Sequence, residues 1–264
     1  MQVRSALFYA VVLMTGVPVV ALATSIAGIW TEKQITIAAD SKQTITQGQT
    51  ITGSQPACKI YEVRGLVFAL AGLAEAEQIS VTDEIRNSRE LVEQGTGRKL
   101  PETSVVVAAD AAVVKVLKAR RTASDPNVPI QLLIGGMIDG KLQMFRIEMV
   151  GMSIQGDYSF ANSTRRIAYP ESRGYNGTDP NRGIELIGIR DSAMRFQASL
   201  PEWNKGDDVT VARRLVAVEA SDTVASHFVG PPISTIVIDK KGIRWVDKGA
   251  CEWNPSKPIK QGRK

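Results

Sequence analysis

Beyond residue 23 the chain opens with apolar runs and apolar–polar alternation of strand length. "SIAGIWT" and "KQITIAADS" read as strands joined at Glu32-Lys33, and "CKIYEV" and "GLVFALAG" as a second hairpin around Arg64-Gly65. Between them, "KQTITQGQTITGSQPA" reads as a polar connection. The pattern then takes on a helical period over 73–94 and 102–123, with "GTGRKLP" as the stop between the two. Strands return at "PIQLLIGGMI" and "KLQMFRIEMV", where Asp139-Gly140 is a tight-turn dipeptide. An irregular Gly/Tyr/Asn/Pro stretch over 169–180 precedes two more helical patterns, 182–199 and 207–225. "ISTIVIDKKGIRWVD" closes the pattern as a hairpin turning at Lys240-Lys241-Gly242.

Antiparallel strands that each need one face covered, interleaved with helix pairs, predict an α+β fold. Its architecture is a four-layer αββα sandwich, two stacked sheets with helices outside. No internal repeat interrupts that order.

The first 23 residues follow a different logic. Arg4 is a short positive start, "ALFYAVVLMTGVPVVALA" an apolar core, and Ala21-Leu22-Ala23 a small-x-small cleavage site. This is the pattern of a secretory signal. The alternative is an uncleaved anchor over 5–23, a run near the lower limit for spanning a bilayer; Pro18 and the Ala-Leu-Ala site favour cleavage. The expected organisation is a cleaved leader 1–23, a folded domain 24–248 and a basic tail 249–264, in a protein that is periplasmic or secreted and free of the membrane once cleaved.

Composition narrows the classes. The chain has 264 residues, 44% hydrophobic and 22% charged, enough for one domain with a sizeable core. The net charge of +5 is scattered except in the tail, where Lys257, Lys260, Arg263 and Lys264 cluster. No basic helix face with interleaved aromatics is present, so no nucleic-acid partner is expected. Two cysteines and one histidine are too few for a zinc site, and neither metal nor cofactor is implied. "GGMIDGKL" has phosphate-loop spacing but no following Ser/Thr, and it lies between strands; it makes a hairpin. His227 reads as a packed or capping residue, since no serine sits in a nucleophile-elbow sequence. In an oxidising compartment Cys58 and Cys251 are able to pair.

Cleavage after Ala23 would put a hydroxyl and a free α-amine on one residue, Thr24. An α-amine has a reference pKa of about 8, so part of it is neutral near pH 7 and accepts a proton. Nucleophile and base then share a residue. Such a hydroxyl needs a cation to favour the alkoxide and a carboxylate to hold that cation. Asp40 ends the second strand and Lys59 opens a later strand, expected in the same sheet.

Thr24-Ser25, "IAADSK" and "CKIYEVRGLVFALAGLAEAE" resemble the start of proteasome β-type subunits and bacterial proteasome-like peptidases, which are N-terminal nucleophile hydrolases. In that family an Asp lies sixteen residues after the N-terminal Thr, as Asp40 does from Thr24. The family's Lys opens a strand leading to an Ala-Gly turn, as Lys59 does before Ala71-Gly72. The resemblance implies the αββα fold and amide hydrolysis through an acyl-enzyme. It assigns Thr24 as nucleophile and base, Lys59 as the cation that lowers the hydroxyl's effective pKa, and Asp40 as its holder. It further implies an oxyanion hole formed by the backbone N–H around Gly72. It also implies a peptide or unfolded-protein substrate and a homo-oligomer, in the family's case a ring.

Two family features have no clean counterpart. For the auxiliary serine the candidates are Ser159 and Ser163. Where "D-x-x-S-G-G" should precede the last hairpin, the chain reads His227-Phe228-Val229-Gly230-Pro231-Pro232, and Asp222 is the nearest acid. The alternatives to a threonine peptidase are an inactive exported binding or assembly module on the same fold and a small-molecule amidase.

Overall fold

A computed structural model of the chain describes residues 24–47, 50–72, 75–76, 79–92, 101–119, 129–154, 157–161, 167–169, 182–199 and 205–251. The leader and the tail beyond Cys251 lie outside these residues. Hairpins begin the fold. β1 (Ser25–Thr31) turns at Glu32-Lys33 into β2 (Gln34–Asp40), in the register Ile26↔Ala39 to Trp30↔Ile35. β3 (Lys42–Gln47) and β4 (Thr50–Pro56) form a separate two-stranded ribbon. β5 (Ile60–Val63) and β6 (Leu66–Gly72) pair around Arg64-Gly65, as expected.

The stretch expected as one long helix from 73 begins instead with two short strands, β7 (Glu75–Ala76) and β8 (Ile79–Ser80). Helix starts only at α1 (Val81–Arg86), where the Ser80 side chain accepts from Asp83 N, a cap that fixes the boundary. α2 (Arg89–Val92) and α3 (Glu102–Ala119) follow. β9 (Pro129–Ile138) and β10 (Lys141–Ile154) are a long hairpin whose turn residues Asp139 and Gly140 have φ of 49° and 73°, the left-handed pair that a two-residue turn requires. β11 (Asp157–Ala161) and β12 (Ile167–Tyr169) both pair with β10.

The predicted helix over 182–199 splits. Its first part is β13 (Arg182–Gly188), which pairs along the whole of β1, and only its second part is α4 (Asp191–Ser199). The open edge of β1 wins over local pattern, and Gly183 and Gly188 weaken the helical alternative. α5 (Asp208–Ser221), a 3-10 turn (Ala225–His227), β14 (Ile233–Asp239) and β15 (Gly242–Asp247) are the last of the described elements.

One sheet has the order β13-β1-β2-β14-β15 and the other β11-β10-β9-β6-β5. Ile26, Trp30, Ile37, Val67, Leu133, Met144 and Ile236 form the layer between them. The outer face of the second sheet, with Phe68, Leu70, Ile134 and Phe145, packs on Val105, Ala109, Val113 and Val116 of α3. The outer face of the first, with Ala27, Ile29, Ala38 and Ile184, packs on Val211, Ala212 and Leu215 of α5. The αββα sandwich is thus present. Among the described residues no helix is long and apolar enough to cross a membrane.

Trp30 is fully packed in the middle layer, and its indole N–H donates to the Leu142 carbonyl of the opposite sheet at 2.9 Å. Trp30→Phe keeps most of the apolar burial but leaves that carbonyl without its donor. Unfolding in urea is expected to show a loss of about 1–3 kcal/mol with an unchanged slope.

Candidate active site

The β1–β2 register decides which residues meet at the sheet end. The β1–β2 ladder ends with Ile26 opposite Ala39, so Ser25 and Asp40 come next on the two strands. Ser25 N donates to Asp40 Oδ1 at 2.8 Å. A hairpin of this length therefore brings Asp40 to the peptide that follows Thr24, which lies sixteen residues earlier in sequence.

Asp40 has no exposed surface, and its carboxylate is surrounded by donors. Lys42 N and Gly230 N donate to Oδ2 at 3.0 and 3.3 Å. Lys59, also buried, precedes β5, which lies in the second sheet and not, as expected, in that of Asp40; it reaches across and places Nζ 3.1 Å from Oδ1 and 3.2 Å from Oδ2. Nζ also donates to the Lys42 carbonyl at 2.7 Å. Burial pushes the Lys59 ammonium's pKa below the usual lysine range, against the pull of Asp40. Burial likewise raises the Asp40 carboxyl, opposed by Lys59 and by the N–H groups of Ser25 and Lys42. Withdrawing both charges from water is tolerable only because each satisfies the other; removing one partner of such a pair costs about 3–5 kcal/mol.

Thr24 is also buried, immediately before β1. Its carbonyl accepts from Ile189 N at 2.7 Å. Gly188, with φ of 80°, passes so close that a Cβ there would lie 1.8 Å from the Thr24 carbonyl oxygen, and 3.4 Å from the Ala71 Cβ. Only glycine fits that place. Gly188 N in turn donates to Gln131 Oε1 of β9 at 2.6 Å. Gln131 is the register partner of Ala71, and Gly72, with φ of 97°, ends β6 beside it. Thr24, Gly188 and the Ala71-Gly72 turn are therefore neighbours where the two sheets meet.

The structure thus joins Thr24, through one peptide, to the buried pair of Asp40 and Lys59. Ser159 lies in β11 opposite Met152, and Ser163 lies outside the described residues. Asp222 does not join the group. It is the C-cap residue of α5, its backbone N–H donating to the Glu219 carbonyl at 3.2 Å, and its carboxylate holds the turn that follows: Oδ1 accepts from Val224 N at 2.9 Å and Ala225 N at 3.0 Å, and Oδ2 from Ser192 Oγ at 2.7 Å. His227 is exposed rather than packed, with its ring edge-on to Phe228. In the place of the family's late motif, Gly230 serves the site through its backbone, donating to Asp40 and accepting from Ser41 N at 3.3 Å. Sequence reasoning missed Gln131, Gly188 and Gly230, which act through bonds to residues 57, 164 and 190 positions away or through close backbone approach, as the separations Gln131–Gly188, Thr24–Gly188 and Asp40–Gly230 show. Cys58 and Cys251 form a disulfide. Cys251, inside the segment read as tail, is therefore bonded to the domain.

Two antiparallel sheets stacked face to face between helix layers have the architecture of the proteasome-like sandwich. The sequence model of the proteasome subunit family matches residues 20–179, more than half of the chain, and the chain belongs to that family. No curated relative matches it.

The Asp222 cap carries its own test. The N–H of Ala225, the Ser192 hydroxyl and the N–H of Val224 hold its carboxyl down at about 2, against an ordinary 3.8. A depressed folded-state pKa contributes stability that is present above the ordinary value and lost as pH falls through the folded one. Calorimetry of Asp222→Asn is expected to show a lower Tm than the parent at neutral pH, with the difference closing between about pH 4 and pH 2.

Proposed function

We propose that this chain is an exported threonine-type hydrolase of peptide amide bonds, activated when cleavage after Ala23 frees the amine of Thr24. The observation that carries the reading is the buried Lys59–Asp40 pair, whose carboxylate also accepts the N–H of the residue following Thr24. Membership of the proteasome subunit family supports a hydrolase, and the Cys58–Cys251 bridge suits an oxidising compartment such as the periplasm or the exterior.

In this mechanism the neutral amine of Thr24 takes the proton of its own hydroxyl, directly or through one water. The Lys59 ammonium, fixed by Asp40, favours the negative charge on Oγ as it attacks the amide carbon. Backbone N–H around Gly72 donates to the resulting oxyanion. Collapse breaks the C–N bond, and the Thr24 ammonium returns the proton to the leaving amine. An ester on Oγ remains. Water, deprotonated by the same amine, attacks the ester; the bond from the acyl carbon to Oγ breaks, the ammonium returns its proton to Oγ, and the acid leaves. The substrate is a peptide or unfolded chain, and a homo-oligomer, in this family a ring, is the expected assembly.

The second reading, an exported binding or assembly module, is favoured by one feature: Gly230-Pro231-Pro232 stands where the family carries its amine-side motif. Hydrolysis of a fluorogenic peptide amide separates the two. A chain beginning at Thr24 is expected to turn over, whereas the uncleaved chain and Thr24→Ala stay at background. Lys59→Met and Asp40→Asn should lower kcat by about a hundredfold or more. The acid limb of kcat/KM should fall as the amine protonates, below about pH 8. Equal turnover by the uncleaved chain, or by Thr24→Ala, contradicts the proposal; no turnover by the free-threonine chain favours the binding module.

A further inference from the structure

Asp40 and Lys59 each have a chain neighbour tied to the same short C-terminal segment. Next to Asp40, Ser41 Oγ lies 3.1 Å from Ser234 Oγ, and Ser234 Oγ donates to the Lys248 carbonyl at 2.8 Å. That carbonyl also accepts from Cys251 N at 2.7 Å, closing a turn. Gly249 lies directly on Ser234, for a Cβ there would be 2.6 Å from Ser234 Oγ. Next to Lys59, Cys58 is bonded to Cys251 across 193 residues of sequence. The circuit is closed: Asp40, Ser41, Ser234, Lys248, Cys251, Cys58, Lys59 and back to Asp40 through the ion pair.

Lys59 sits just outside the strand ladder, since β5 begins at Ile60. Its flexible side chain holds Nζ on both oxygens of Asp40 only if its Cα stays in place. Hydrogen bonds to the segment come from Leu70 N to the Lys59 carbonyl at 3.0 Å, from Tyr61 OH to the Cys58 carbonyl at 2.6 Å, and from Ala57 N to the Ser41 carbonyl at 2.6 Å. The bridge adds a covalent tie one residue from the lysine.

We propose that the Cys58–Cys251 disulfide is a positioning element of the site, fixing the backbone at Lys59 so that the reactivity of Thr24 depends on the bridge being closed. This rests on reading Thr24 as the nucleophile and Lys59 as its activating cation. Opening the bridge takes a dithiol reductant: the cystine accepts two electrons and two protons to give two thiols, and the dithiol becomes a disulfide. Cys58 is the more exposed of the two cysteines.

The test uses the chain beginning at Thr24 in three states: oxidised, held reduced by dithiothreitol, and reduced then rejoined by a one-carbon reagent that inserts a methylene between the sulfurs. Labelling by a threonine-reactive β-lactone gives kinact and KI, at a temperature where circular dichroism shows every form folded. Opening the bridge is expected to lower kinact about ten- to a hundredfold while KI stays within about twofold, and the methylene link to restore most of the rate. The Cys58→Ser/Cys251→Ser variant should match the reduced form. Amide exchange at Leu70 and Ala57 should quicken, with that of the β1–β2 ladder unchanged. A bridge that only stabilises the fold would leave kinact unmoved, and that result overturns the proposal. Should the bridge-free forms unfold, the reduced chain rejoined by a link several carbons longer keeps the cross-link but slackens the tie at Cys58; there too an unchanged kinact overturns the proposal. A chain that fails to label even when oxidised refutes the nucleophile assignment, and this inference with it.

Discussion

A lysine and an aspartate held together out of water constrain everything around them. Neither Lys59 nor Asp40 could occupy its place alone, so the segments that carry them, one from each sheet, are obliged to meet at one point. The three backbone N–H groups on Asp40 come from residues in three different places, at the start of β1, after β2 and before β14. The ion pair therefore fixes the relative position of four chain segments. What it fixes most usefully is the beginning of β1, where Thr24 stands.

Around that point the sandwich is assembled from contacts that leave little slack. Gly188 lets β13 pass against Thr24, and Gln131 ties the same turn to the second sheet. On the opposite side, Ser41, Ser234 and the disulfide bind the turn at Lys248–Cys251 to the ion pair's neighbours. A site made in this way is rigid because it lies where two packed layers meet. Helices cover the outer faces and leave the sheet ends to the chemistry.

Much of this was legible in the sequence, for identifiable reasons. Hairpins marked by Asp139-Gly140 and Arg64-Gly65 are local events, decided by two residues that accept positive φ. Asp40 and Lys59 were legible through the family resemblance, on strand-end motifs that are also local, and the structure joins them as an ion pair. The misreadings were of segments whose state is set from outside. β13 is a strand because β1 needed a partner, and its Glu185 is buried against Arg146 of the other sheet, 3.5 Å away, a pairing no local pattern announces. β3 and β4 are rich in polar residues and read as a connection, although the alternation of threonine with isoleucine is itself a strand pattern. Asp222, taken as a site candidate for its place near the last hairpin, is a helix cap.

The central claim is that the hydroxyl of Thr24, with its own amine free, is the nucleophile. The most direct measurement is peptide mapping by mass spectrometry of the mature protein after reaction with a β-lactone. The account predicts one acyl group, carried as an ester on the hydroxyl of an N-terminal peptide that begins at Thr24. An adduct on any other residue, or a chain beginning at Thr24 that stays unmodified, would contradict it.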